Sequence, residues 1–222
     1  MTNDLTADSY FDPVSPYAYL MWTRLRRDQA RGEIQFALTP VPVVVSAIFA
    51  HWGIIGPADI PPKRRHFYRM CHWIADQHRI DLRIPDPHPF RSIEASRLIV
   101  ALAARDTAVD AVFDAIFVEG RDLSQLSEIK ALGRSLGIEN ISSALAANDV
   151  KERLRRNTES AISRGVFGVP TLSLGGESFW GFESYQMIQV FTQNPNKFGA
   201  FATRRLQDVD HVKTAGRWTV GS

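Results

Sequence analysis

Residues 165–181 read GVFGVPTLSLGGESFWG, and the reading of this stretch decides the fold. Val169-Pro170 stands where an apolar run begins, with Thr171, Leu172 and Leu174 ahead of Gly175-Gly176 and a second short run at residues 178–180. That pattern predicts a β-hairpin entered through a proline. Proline cannot donate to a ladder, so it belongs at the first residue of a strand, at an edge or at a bulge, and X-Pro is the bond that readily goes cis. A cis Val169-Pro170 bond would turn the amide and carbonyl of Val169 outward, where an extended peptide-like ligand can pair with them.

Working outward, residues 10–20 read YFDPVSPYAYL. A short β run over residues 7–12 gives way at once to helix signals: Ser15 as N-cap, Pro16 at the first helical position, then Tyr17, Leu20, Met21, Arg24 and Leu25 at helical spacing. This helix should end near Gly32. Residues 33–39 read as a second strand stopped by Pro40 and Pro42, completing a β-α-β unit with parallel strands.

Between that unit and the hairpin the periods are helical. Residues 43–62 are apolar and rich in turn residues; a helix is expected over residues 63–78, and prolines 85, 87 and 89 break the extended stretch that follows. Ser92 can cap a helix carrying Ile93, Arg97, Val100 and Ala104 on one face, and further helices are expected over residues 108–119, 124–136, 142–147 and 148–164. Gly137 suits a C-cap. A last helix runs to about Phe191, and residues 193–222 form a tail without a strong period.

Composition narrows the function classes. The chain has 222 residues, 45% of them hydrophobic, enough to bury a proper core, and a formal charge of only +2. Basic patches at residues 24–31, 63–65 and 153–156 are diluted by acids or apolar residues, so nucleic acid is not the expected partner. The start, MTNDLTADSY, lacks the basic flank and apolar core of a secretory signal, and the longest apolar run, residues 41–52, is too short to span a bilayer. Cys71 is the only cysteine, which excludes a Cys-x-x-Cys couple and points to a cytoplasmic protein without dithiol chemistry of its own. The six histidines show no ligand spacing, so no metal is expected.

Taken together, Gly-Val-Phe-Gly-Val-Pro-Thr with Gly-Gly and Phe-Trp-Gly, and the Ser-Pro-Tyr-x-Tyr-Leu stretch about 150 residues earlier, resemble the branch of thioredoxin-like proteins that holds 2-hydroxychromene-2-carboxylate isomerases and kappa-class glutathione transferases, relatives of DsbA-like oxidoreductases. The resemblance implies an α/β thioredoxin-like fold with a large all-helical insertion. The thioredoxin-like part would comprise residues 5–42 and 150–192, the helical insertion residues 43–149, and the tail residues 193–222. It further implies glutathione as cofactor, a small aromatic substrate and a homodimer. In that chemistry the glutathione thiolate adds reversibly to a conjugated aromatic pyruvate or chromene, a carbon-carbon bond rotates, and glutathione leaves unchanged. A glutathione transferase, in which the adduct is the product, and a non-catalytic thioredoxin-like binding module are the alternatives.

The resemblance gives roles to individual residues, each with an ordinary reading beside it. Ser15 would replace the attacking cysteine of the redox relatives and donate to the glutathione sulfur, although a serine before proline at a helix start is ordinarily an N-cap. Val169 and Pro170 would supply the backbone pairing. Glu183, at the start of the last helix, would hold the γ-glutamyl ammonium, or simply be a favourable first-turn acid; Ser184 stands where the family has arginine. Lys63 would reach the glycine carboxylate, or be a solvated lysine. Positions where the family has other side chains fall on or near His66, Met70, Trp73 and Ser92, while Arg97 matches. Phe49, Trp52, Trp73 and Phe90 could line an aromatic substrate pocket with Arg97, though aromatics at such spacing are more often core.

Overall fold

The computed structural model describes residues 5–196 and 198–199; the end of the expected tail, residues 200–222, lies outside the described residues. A four-stranded sheet has the order β2-β1-β3-β4. β1 (Thr6–Phe11) runs parallel to β2 (Ala37–Pro42), and α1 (Pro16–Ala30) makes the crossover between them. β3 (Thr171–Leu174) lies antiparallel to β1 on its other side, with Tyr10 opposite Thr171. β4 (Glu177–Trp180) closes a hairpin whose two loop residues, Gly175 and Gly176, have φ of 59° and 88°. Both loop positions need positive φ to match the twist of the strands, which is why the chain places Gly-Gly there.

The second strand differs from the expected residues 33–39: it begins at Ala37 and runs through both prolines to Pro42. The reason is its place at the sheet edge. Ala37 N–H donates to Leu5 O and Val43 N–H to Phe11 O, so the odd-numbered positions face β1. Pro40 and Pro42 fall on the even positions, where the missing N–H would have pointed away from the sheet.

Between β2 and β3 come seven helices: α2 (Val45–Trp52), α3 (Pro61–His78), α4 (Ile93–Ala101), α5 (Asp106–Phe117), α6 (Leu126–Ser135), α7 (Ile141–Ala146) and α8 (Asn148–Ser163). α1 buries Tyr19, Leu20, Trp22 and Leu25. Phe11 and Tyr19 both meet Phe113 of α5, with ring centroids 5.4 and 5.8 Å apart. Each such pair adds roughly 0.5–1.5 kcal/mol beyond its buried area. α8 holds the exit of β2: Val44 N–H donates to Thr158 Oγ1 (3.0 Å) and Asn157 Nδ2 to Pro42 O (3.1 Å). None of the described helices is long and apolar enough to cross a membrane.

The described residues fall into two compact units, divided between Ser184 and Tyr185. In the second, α9 (Tyr185–Gln193) is described, and Phe191 meets Phe198 edge-on at 5.5 Å.

Candidate functional site

Antiparallel pairing of β3 with β1 puts the start of β3 beside the end of β1. Val169-Pro170, immediately before β3, and Asp12 to Ser15, immediately after β1, therefore lie at the same end of the two central strands. Gly181 N–H donates to Pro170 O at 2.9 Å, which brings the segment after β4 to the same place. The structure thus gathers Ser15, Val169, Pro170 and Glu183, which lie up to 168 residues apart in the chain.

Ser15 is the N-cap of α1, with Pro16 following; its φ and ψ are −89° and 113°, and its Oγ accepts from Ala18 N–H at 3.2 Å. Capping uses only an oxygen lone pair. The hydroxyl hydrogen has no acceptor among the described residues, and neither does the N–H of Tyr17, the one open donor in this first turn. Both point to a place where the aligned peptide dipoles contribute roughly half a positive charge.

Val169-Pro170 is cis. Among the described residues neither the amide nor the carbonyl of Val169 has a partner, while its side chain packs on the cluster of Tyr10, Val43, Ile48 and Val166. Gly168 has no room for a side chain, since a Cβ would meet Trp180 Nε1 at 2.8 Å. The indole of Trp180 meets the ring of Phe167 obliquely at 4.9 Å.

Glu183 is exposed, and its carboxylate lies near enough to the Tyr17 phenol, two residues after Ser15, to act on it electrostatically. Burial, helped by the Glu183 charge, raises the Tyr17 pKa, so the phenol keeps its proton. Ser184 is buried and its hydroxyl donates to Gly181 O at 2.8 Å, closing the turn that carries Glu183. Lys63 is exposed in the first turn of α3, with no hydrogen bond or ion pair among the described residues. One turn on, Phe67 meets the ring of Tyr17 at 4.9 Å, so Lys63 lies on the helix face turned toward α1. Cys71 is on that face too, fully buried, with its thiol pKa pushed up by burial.

The expected aromatic pocket is not gathered in this way. Phe90 is 8% exposed and packs edge-on against His88 in the core, whereas Trp73 is 59% exposed on α3. Phe49 and Trp52 lie on α2, where Trp52 Nε1 donates to Val166 O at 3.0 Å. Helical spacing told where aromatics lay along each helix, but which face meets the core depends on the neighbouring elements. Arg97 is half-buried with its Nε lacking a partner among the described residues.

Sequence reasoning missed Asp12 and His88. Asp12 is buried, and its carboxylate accepts from Val14 N–H (3.0 Å) and from Val45 N–H (2.9 Å). Ser92 precedes α4 but its side chain does not cap the helix, contrary to the expectation from its position. Burial raises the Asp12 pKa, with the Ser92 hydroxyl and the Val14 and Val45 amides pulling the other way. His88 is half-buried and its pKa is lowered by burial, against the raising effect of its bond to Val14 O. An acid followed by proline at a strand end was the one signal that could have marked Asp12. For His88 the sequence held none.

The sheet order, the capped Ser-Pro helix start and the cis proline before β3 define a thioredoxin-like protein in which serine occupies the helix N-terminus. The chain belongs to the DsbA-like thioredoxin family, whose domain model matches residues 6–192. It is 31% identical over 195 residues to a 2-hydroxychromene-2-carboxylate isomerase of Pseudomonas putida, a match spanning 83% of this chain and 93% of the relative. A glutathione S-transferase kappa 2 of Caenorhabditis elegans is 23% identical over 188 residues, 78% of this chain and 83% of the relative. A solved structure of a 2-hydroxychromene-2-carboxylate isomerase superposes with a TM-score of 0.74 at 25% identity, covering 94% of this chain and all of that one.

Proposed function

We propose that this protein is a glutathione-dependent isomerase acting on an aromatic substrate of the 2-hydroxychromene-2-carboxylate or benzylidenepyruvate type. The observation that carries the reading is the Ser15 hydroxyl, which caps α1 through its oxygen and keeps its hydrogen for a ligand, at the end of the central strands where the Val169 amide and carbonyl are also unpaired among the described residues. The similarity to named isomerases over most of the chain supports it.

The residues present fit glutathione. Its extended peptide would pair with the backbone of Val169, its ammonium with the Glu183 carboxylate oxygens, and a terminal carboxylate with Lys63. When bound, glutathione supplies a thiol whose anion is the nucleophile and which is regenerated at the end of the cycle. Ser15 donates its hydroxyl hydrogen to the sulfur, and the α1 N-terminus with the open Tyr17 N–H adds to the positive potential there. Both favour the anion over the thiol, whose ordinary pKa is about 8.5. The Tyr17 phenol keeps its proton beside the Glu183 carboxylate. Cys71, buried and alone, takes no part.

The test is to follow isomerisation of 2-hydroxychromene-2-carboxylate with and without glutathione while measuring free glutathione. Isomerisation should require glutathione and leave its amount unchanged, and Ser15→Ala should lower kcat about 10²- to 10³-fold, as for loss of one preorganised donor. Turnover without glutathione, or full activity in Ser15→Ala, would overturn the reading. The likeness to a kappa transferase supports a second reading, in which the adduct is released and glutathione is consumed.

A further inference from the structure

The peptide unit between Val14 and Ser15 is held at both of its polar atoms. Ser15 N–H donates to Asp12 O at 2.9 Å, and the Val14 carbonyl lies 2.8 Å from His88 Nε2, contributed by a loop 74 residues away. A carbonyl can only accept, so Nε2 carries the hydrogen. Nδ1 is then left with a lone pair, and Tyr68 Oη lies 2.7 Å from it, in place to donate. The same phenolic oxygen is 3.0 Å from the His88 carbonyl, so Tyr68 meets both the side chain and the backbone of the residue it orients. Phe90 and Phe117 pack on the imidazole at 6.1 and 6.2 Å and close off other ring positions.

Within the local chain this peptide is held only through its N–H, by Asp12 O, and its carbonyl has no local donor. Pro13 offers no N–H, and Val14 N–H is already committed to the Asp12 carboxylate. The direction of the Ser15 Cα–Cβ bond follows from the orientation of the peptide before it. A small rotation there would swing the hydroxyl off both Ala18 N–H and the ligand side.

We propose that His88, oriented by Tyr68, is a positioning residue that fixes the Val14–Ser15 peptide and through it the aim of the Ser15 hydroxyl. The kinetic half of this inference rests on the role given to Ser15 above; the structural half does not.

Two measurements separate them. In the first, His88→Leu removes the donor while keeping an apolar body, and His88→Gln keeps an N–H at the end of a side chain long enough to reach Val14 O. His88→Leu should lower kcat about 10- to 100-fold with KM for glutathione nearly unchanged, since a misaimed group costs on this scale. His88→Gln should recover most of that loss, and Tyr68→Phe should fall between. Equal losses in His88→Leu and His88→Gln, or a loss confined to KM, would overturn the proposal. The second measurement is independent of any substrate: a double-mutant cycle of His88→Leu with Ser15→Ala, read as the midpoint of urea unfolding. Ser15→Ala should shift the midpoint less in the His88→Leu background than in the unaltered chain, because the hydroxyl no longer caps properly there. Additive shifts would sink the positioning claim even if His88→Leu were slow. If the chain shows no Ser15-dependent turnover at all, the proposed function fails and the cycle still decides whether His88 sets Ser15.

Discussion

Asp12→Asn is the most searching perturbation of the site that leaves its proposed ligands untouched. The carboxylate takes hydrogen bonds from Val14 N–H and Val45 N–H, and the residue is only 1% exposed. Asparagine has the same shape but only one acceptor oxygen, so its NH2 must face one of these two donors. That leaves one buried donor without an acceptor, a cost of about 1 to 3 kcal/mol. The pH dependence gives a second, independent sign. The Asp12 pKa is raised above 3.8 in the folded chain, so the folded state binds this proton more readily than the unfolded state does. Stability from this group therefore rises as pH falls through the folded pKa toward the unfolded one, and is absent well above it. Asparagine does not titrate, so the advantage of the unaltered chain over Asp12→Asn should widen on acidification across that window. Urea unfolding of both chains at several pH values measures it, with the difference between them cancelling the other titrations. A variant as stable as the parent at neutral pH, with a difference that stays flat on acidification, would refute the claim that this carboxylate ties the end of β1 to the start of α2.

Glu183→Gln should raise the KM for glutathione with kcat nearly unchanged, since a contact to a distant ammonium is made equally in ground and transition states. About 1.5 to 3 kcal/mol of charge-assisted hydrogen bonding is at stake, roughly 10- to 150-fold in affinity by calorimetry; equal affinities would remove Glu183 from the site. Ser15→Ala should cost about 0.5 to 2 kcal/mol in unfolding through the lost cap, whatever it does to the rate. Gly133→Ala, where α6 crosses α7, would place a Cβ on Ile141 Cδ1 and 2.8 Å from its Cγ1. Unfolding should become easier by about 1 to 3 kcal/mol from overpacking, with glutathione affinity unchanged, which makes it a control for stability effects on the assay.

Legibility in the sequence followed how local the physics was. Ser15-Pro16 marked the start of α1 because capping and a fixed φ act within one turn, and Gly175-Gly176 marked the hairpin because its backbone needs positive φ at both positions. Those two signals, with the proline before β3, fitted the thioredoxin-like frame that the family resemblance implied, and it was that resemblance which nominated Ser15, Val169 and Glu183. Pro40 and Pro42 misled, because a missing N–H ends a strand only if the ladder needs it, and whether it does depends on which strand lies at the edge. Phe90 and Trp73 are both aromatic at helix-adjacent positions, yet one is core and the other surface, since burial is set by what packs opposite. Asp12 beneath the site, and His88 with Tyr68 behind it, owe their positions to contacts spanning 33 and 74 residues of chain. A hydrogen bond of that reach has no period or neighbour to announce it; only the folded chain brings its donor and acceptor together.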